Sequence, residues 1–168
     1  MGIMIRSSCN IKLQNVKVEK CWGDNLYISG SKDATNPSRN IYLERCIFRD
    51  GRRNNISIIN ADSIWISSCY ISKTADVPID IRTTKPNLAI DLEPNFPDKE
   101  KVSNFFISNS HIDLNHIGNI GIYNFNNPNG KNARIENCRF CNIKYCIYFT
   151  AFKELSIKDC VFSDSLTP

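Results

Sequence analysis

The chain has 168 residues and a mass of 19.2 kDa, room for one domain with a real core. Hydrophobic residues make up 42% and charged residues 23%, which excludes a disordered chain, and no apolar run approaches the length of a transmembrane helix. The net charge of +4 is too mild to indicate nucleic acid, and 24 Ile and 21 Asn against 6 Ala and 8 Leu favour strands joined by tight turns over a helix bundle.

The opening MGIMIRSSCN has no long apolar region with a small-residue cleavage site, so no secretory signal is read there. An intracellular chain, a fragment, or a piece exported within something larger all fit, and an extracellular or virion location is compatible. Ile3 and Ile5 stand 8 and 6 residues before Ile11, as Ile56 and Ile58 stand before Ile64. Residues 1–10 therefore read as a partial first rung.

From residue 11 one pattern recurs six times, with apolar, apolar, small and apolar positions at spacing 0, 2, 5, 7. Its copies are Ile11-Leu13-Val16-Val18, Ile41-Leu43-Cys46-Phe48, Ile64-Ile66-Cys69-Ile71, Phe105-Ile107-Ser110-Ile112, Ala133-Ile135-Cys138-Phe140 and Leu155-Ile157-Cys160-Phe162. Two period-2 halves offset by one residue predict a strand that bends and continues inward. A second short strand follows each of the first five copies: Leu26/Ile28, Ile56/Ile58, Ile79/Ile81, Ile120/Ile122 and Ile147/Phe149. The shortest interval between copies, 155 minus 133 or 22 residues, suits one turn of a parallel β-helix. The expected fold is all-β, a parallel β-helix of about six rungs starting at 11, 41, 64, 105, 133 and 155, as one domain over 1–168. Right-handedness follows the general rule for parallel crossovers. No end cap is evident, so a longer β-helix, or another domain or chain covering the ends, is expected.

The cysteines at one repeat position, Cys46, Cys69, Cys138 and Cys160, predict an inward column of small hydrophobes, with cross-rung disulfides as the alternative. Cys138 and Cys141 form a CxxC, but no second pair or nearby His completes a zinc site, and no metal ligand set is assigned. Asn25, Asn55 and Asn119 share the position before the second strand and predict a turn-capping ladder.

Insertions follow the second strand at 29–39, 72–101 (the largest) and 124–132, the flank where a solenoid builds a binding edge. In the largest, NLAIDLEPN competes with Ile79/Ile81 to be the second strand of its rung. If Ile90 and Leu92 point in, Asp91 and Glu93 point out about 7 Å apart. Such a pair suits acid/base work, a calcium site, or ordering of the following loop. Tyr27, Ser57, Asp91, Gly121 and Tyr148 would line one outward face, flanked by Tyr123 and Glu93; tyrosine beside carboxylate suits sugar rings. Tyr42, Trp65 and Phe106 form a second outward column, fit for a glycan, a trimer contact or cover by a loop. Arg49, Arg52 and Arg53 read as a solvated basic turn or as ligands for a uronate carboxylate. His111 and His116 read as surface residues.

CWGDNLYISG, RRNNISIIN, AIDLEPN and the NxxIxNCxF-like rungs resemble the right-handed β-helix proteins of the pectate-lyase-like superfamily, over essentially all of residues 2–163. The resemblance implies a right-handed β-helix acting on polysaccharide: a lyase, a glycoside hydrolase, an epimerase or a phage tailspike. A GIDxEPN-type segment after the longest insertion implies a functional role for Asp91 and Glu93. Asp24 matches one aspartate of the polygalacturonase strand, while Gly23 replaces the other, GRRNNISI stands where a GHG segment is expected, and no RIK segment occurs. These departures argue against a polygalacturonase, and the calcium-dependent lyase signature is not evident. The expected catalytic set is Asp91, Glu93, Asp24 and Arg53. The expected substrate-binding set is Tyr27, Tyr123, Tyr148, Arg52 and Trp65. Calcium is a candidate cofactor, and the expected partners are a polysaccharide, with no nucleic acid and no membrane, and a homotrimer or a capping domain. The rival reading is a non-enzymatic tailspike or structural module, or an inactive fragment of a larger enzyme.

Overall fold

A computed structural model describes residues 1–74, 87–96, 99–113, 118–122, 130–141, 145–149 and 152–163. Its strands form three six-stranded sheets, every pairing parallel. The first holds Ile3–Arg6, Leu26–Ser29, Ile56–Ile58, Leu88–Leu92, Gly118–Ile122 and Tyr145–Phe149. The second holds the longer strands Cys9–Gln14, Ser38–Glu44, Ala61–Ser67, Val102–Ser108, Gly130–Glu136 and Phe152–Lys158. The third holds Lys17–Glu19, Ile47–Arg49, Tyr70–Ser72, His111–Asp113, Arg139–Cys141 and Val161–Ser163. The chain visits first, second and third sheet in turn, which makes a right-handed parallel β-helix. No helix occurs among the described residues, and none of them is long and apolar enough to cross a membrane as a helix.

Register follows the apolar columns. Ile11, Ile41, Ile64, Phe105, Ala133 and Leu155 are successive partners in the second sheet. From Ile41 to Ala133 they are fully buried. Phe48, Ile71, Ile112 and Phe140 continue the core on the third sheet. Each such side chain contributes roughly 1.5–3 kcal/mol by leaving water.

The strand does not simply bend between the two halves of the repeat. It ends at a corner residue in left-handed conformation and passes to another sheet: Asn15, Arg45, Ser68, Asn109, Asn137 and Asp159 have φ of 56, 51, 53, 50, 49 and 52°. A second left-handed column, Asn10, Asn40, Ser63, Asn104, Asn132 and Glu154, is skipped by the second-sheet register and makes a bulge in every rung. Asparagine tolerates this region better than other non-glycine residues, which accounts for much of the Asn content. Its side chains also bridge rungs: Asn40 Nδ2 donates to Asn10 Oδ1 at 3.0 Å and Asn137 Nδ2 to Asn109 Oδ1 at 2.6 Å.

The open choice of second strand in the largest insertion falls to Leu88–Leu92, where Ile90 partners Ile56 and Ile120; Ile79 and Ile81 lie outside the described residues. The expected Asn ladder forms between Asn25 Nδ2 and Asn55 Oδ1 at 2.7 Å. It stops at the next rung, where Ala89 precedes Ile90; Asn119 lies on Gly118–Ile122. The repeat cysteines are free thiols. Cys46 Sγ donates to Leu13 O at 3.3 Å and Cys69 Sγ to Leu43 O at 3.5 Å, each reaching the preceding rung. Burial pushes the thiols of Cys69 and Cys138 up to about 12 and about 11, so both stay protonated and unreactive.

The turn from first to second sheet is tied by buried Asn60, whose Nδ2 donates to Ala34 O at 3.1 Å and whose Oδ1 accepts from Lys101 N at 3.2 Å. A Cβ on Gly30 would collide with that Asn60 amide and stand 2.7 Å from Asn36 O. Gly30→Ala should therefore cost about 1–3 kcal/mol, seen as a lower urea midpoint at unchanged m-value. An unchanged midpoint would show that the turn relaxes freely.

Candidate functional site

The turns 20–25 and 50–55 lie one above the other where the third sheet passes to the first. Arg52 N donates to Cys21 O and Arg53 N to Gly23 O, both at 3.2 Å, and Asn54 N donates to Asp24 Oδ1 at 3.1 Å. This stacking sets Arg53 beside Asp24, with Nη1 3.6 Å from Oδ2. The other end of its guanidinium reaches the next rung, Nη2 lying 3.3 Å from Glu93 Oε2. Asn54 turns the same way: its Nδ2 donates to Asp91 Oδ2 at 2.9 Å and to Ser57 Oγ at 3.0 Å, while its Oδ1 accepts from Leu88 N at 2.8 Å. Asp24, Arg53, Asp91 and Glu93 thus converge from three rungs.

Their exposure differs from expectation in one respect. Asp91 occupies the outward register position opposite Ser57 and Gly121, yet it is fully buried. Only Glu93 and Arg53, each about a third exposed, reach solvent. Asp91 Oδ1 is buried with no donor facing it, and the Asp91 carboxyl lies within hydrogen-bonding reach of that of Glu93. An ionised Asp91 would leave that oxygen unsolvated, so burial first, and the charge of Glu93 second, push its carboxyl well above the usual range against Arg53 and Asn54. Burial also raises Asp24, opposed by Arg53, the Asn54 N–H and Ser57. The cluster therefore pairs an enclosed acid, whose burial favours its neutral form, with a partly exposed Glu93 held by arginine. Two acids in such different surroundings are the arrangement proton transfer needs.

Calcium fits this cluster poorly. The Arg53 guanidinium lies between Asp24 and Glu93, where a cation would bind both. Among the described residues no three His, Cys, Asp or Glu side chains converge as metal ligands.

The other expected contacts separate. Tyr27 partners Ser57 one rung from Asp91 and is half-buried; burial, then the charges of Glu100 and Asp24, raise its phenol. Tyr148 holds the register position opposite Gly121, and Tyr123 lies outside the described residues. Arg52 Cζ sits 4.2 Å from the ring centre of Trp22. Trp22 was not singled out from sequence, although it adjoins Gly23 and Asp24; it is 79% exposed. Asn54 was missed as well, whereas Ser57 lies beside Asp91 as the outward-face reading expected. The run RRNNIS held the signal, since two consecutive Asn before a strand cannot both turn toward the turn cap.

Trp65 belongs elsewhere, on the second sheet. Tyr42 stacks on one of its faces (centroids 4.6 Å apart, planes at 5°) and Phe106 on the other (5.7 Å, 27°), so Trp65 offers its edge rather than a platform. Arg49 leaves the basic turn and bonds Glu19 at 2.6 Å. His111, expected as a plain surface residue, has Nε2 3.1 Å from Oδ2 of buried Asp113, which also lies 3.3 Å from the Tyr70 hydroxyl; His116 lies outside the described residues.

The family described as "Right handed beta helix region" matches the chain over residues 1–93. Two curated relatives are from Bacillus subtilis (strain 168). The SPbeta prophage-derived uncharacterized protein YorA is 29% identical over 98 residues, 55% of this chain and 16% of that protein. The uncharacterized protein YclG is 32% identical over 117 residues, 66% of this chain and 19% of that protein. The matched stretches thus span under a fifth of the length of either relative. No solved structure matches.

Proposed function

The chain belongs to the right-handed β-helix family, and from that premise we propose that it binds, and through Glu93 cleaves, an extended polysaccharide lying across its first sheet. The observation that carries this reading is the buried, unpartnered Oδ1 of Asp91 behind the half-exposed Glu93–Arg53 pair. An enclosed acid of this kind is costly to stability and is kept where a proton must be held near neutral pH. Glu93 is the group that touches substrate, Asp91 positions it and holds a proton behind it, and Arg53 orients it. Trp22 and Tyr27 supply surfaces for sugar rings on either side of Asp24. The resemblance to the pectate-lyase-like superfamily supports the same substrate class. Either hydrolysis with a water nucleophile or elimination from a uronate suits this set of groups.

The test compares the folded protein with its Asp91→Asn/Glu93→Gln variant on neutral and uronate polysaccharides. New reducing ends without unsaturated-uronate absorbance mark a hydrolase; reducing ends with it mark a lyase. Either activity should fall by about 10²–10⁴ in the variant. A folded wild type that yields no product would end the cleavage reading and leave binding.

A second reading, a structural or receptor-binding module, is favoured by the half-exposed Tyr42-Trp65-Phe106 stack. There the stack would pack between three copies, and a trimeric mass in solution would support it.

A further inference from the structure

A cavity of about 420 Å³ opens at the first-to-second sheet turn. Four cations border it: Arg39, Lys99, Lys101 and Lys131, all exposed. None of them makes an ion pair with another described residue. One carboxylate, Asp62, lies among them, and its Oδ1 is occupied by Asn104 Nδ2 at 2.7 Å. The lining therefore carries a formal excess of three positive charges (four cations less one carboxylate) around a concave space.

Arg39, Asp62, Ser103 and Lys131 are successive partners in the second sheet, so the cations are spread along the helix axis, with rungs about 4.8 Å apart. Lys99 and Lys101 come from the far end of the segment that begins at Glu93. That end is fixed: Lys99 N donates to Phe96 O at 2.9 Å, Glu100 Oε2 accepts from Phe96 N at 2.9 Å, and Lys101 N is held by Asn60. The cations thus stand on a rim whose backbone is held, with Asp62 the single carboxylate among the described residues that line it. Like charges assembled around a cavity raise its potential and lower stability unless an anion enters.

We infer that this cavity is a binding subsite for the anionic substituents of an acidic polysaccharide, a uronate carboxylate or a sulfate ester. The inference rests on the polysaccharide reading and narrows it to an acidic chain. Lysine heads act as point charges, so binding should weaken steeply with salt.

The experiment titrates the full chain by calorimetry with hexagalacturonate, its methyl-esterified counterpart and inorganic sulfate. Expected is binding of the acid, at least tenfold weaker binding of the ester, and competition by sulfate. Lys101→Glu/Lys131→Glu should weaken the acid at least tenfold and flatten its salt dependence, with a melting temperature no lower than that of the wild type. Equal binding of acid and ester, an unaffected charge-reversal variant, or binding of sulfate alone would each overturn the inference. Failure of the cleavage reading would look different: no product from wild type while the acid still binds and the charge reversal still weakens it.

Discussion

Replacing Arg53 by methionine should cost about 2–3 kcal/mol at pH 7 and close to nothing at pH 3. The figure lies below the 3–5 kcal/mol of a fully buried pair because the Arg53 side chain is 31% exposed. Arg53 lowers the carboxyls of both Asp24 and Asp91, which burial raises. Without it both rise further in the folded state, while in the unfolded chain they stay near 3.9. Between those values the folded protein holds more protons than the unfolded one, so stability falls as pH rises through the window. Below about pH 4 both states are protonated and the variant should match the wild type. Asp91→Asn should do the reverse. It removes the enclosed acid while its amide oxygen can still accept from Asn54, so the variant gains stability at pH 7 and loses the gain as pH falls toward 4. Thermal melts of both variants at pH 3, 5 and 7 check this, at about 2–4 °C per kcal/mol. Parallel shifts at every pH would show that Asp91 is ionised in the folded protein.

The opposite signs matter for function. A cluster built for stability would lose from either substitution. One that keeps a costly proton gains when the acid is removed, and the cost then needs another explanation, which the proposed proton transfer at Glu93 would provide.

The fold was legible because its signal is local and repeated. Spacing 0, 2, 5, 7 aims one side of each rung inward whatever the insertions do, and the register follows the same residues. The left-handed columns were only half legible: Asn15, Asn109 and Asn137 advertise them, but Arg45 and Ser68 adopt the same corner without any signal of composition. The burial of Asp91 was not legible at all. Its alternation with Ile90 and Leu92 correctly gave the outward position, but what covers it comes partly from Asn54, 37 residues away and one rung over. The convergence of Arg53 on Asp24 and Glu93 likewise depends on two turns lying in register. The basic cavity needs the same register, since its cations are scattered from 39 to 131 in sequence.

Phe105→Ala should be the most damaging single core change, and Phe106→Ala a mild one, although the two are neighbours of the same type. Phe105 is fully buried between Ile64 and Ala133, the smallest side chain of its column. Its ring fills the space Ala133 leaves, and its loss opens a cavity costing about 3–5 kcal/mol, a fall in melting temperature on the order of 10 °C. Phe106 points outward, stacked on Trp65 beneath the Arg134 guanidinium and half-exposed, so its loss should cost roughly 1–2 kcal/mol. Adding Ala133→Phe to Phe105→Ala restores the volume from the next rung and should recover part of the loss. Because each rung touches only its neighbours, the damage should be local, with faster amide exchange in the strands on either side of 102–108 and little change near residue 11. That strand carries Ser103, with Lys101 immediately before it, and is the next strand in the chain after Leu88–Leu92. The cavity variant should therefore loosen the anionic subsite without touching it, whereas charge reversal at Lys101 and Lys131 weakens the same ligand in an undisturbed fold. A loss below about 1 kcal/mol for Phe105→Ala would mean the rungs close over the space, and the subsite would then owe its rigidity to Asn60 and the Phe96–Glu100 turn alone.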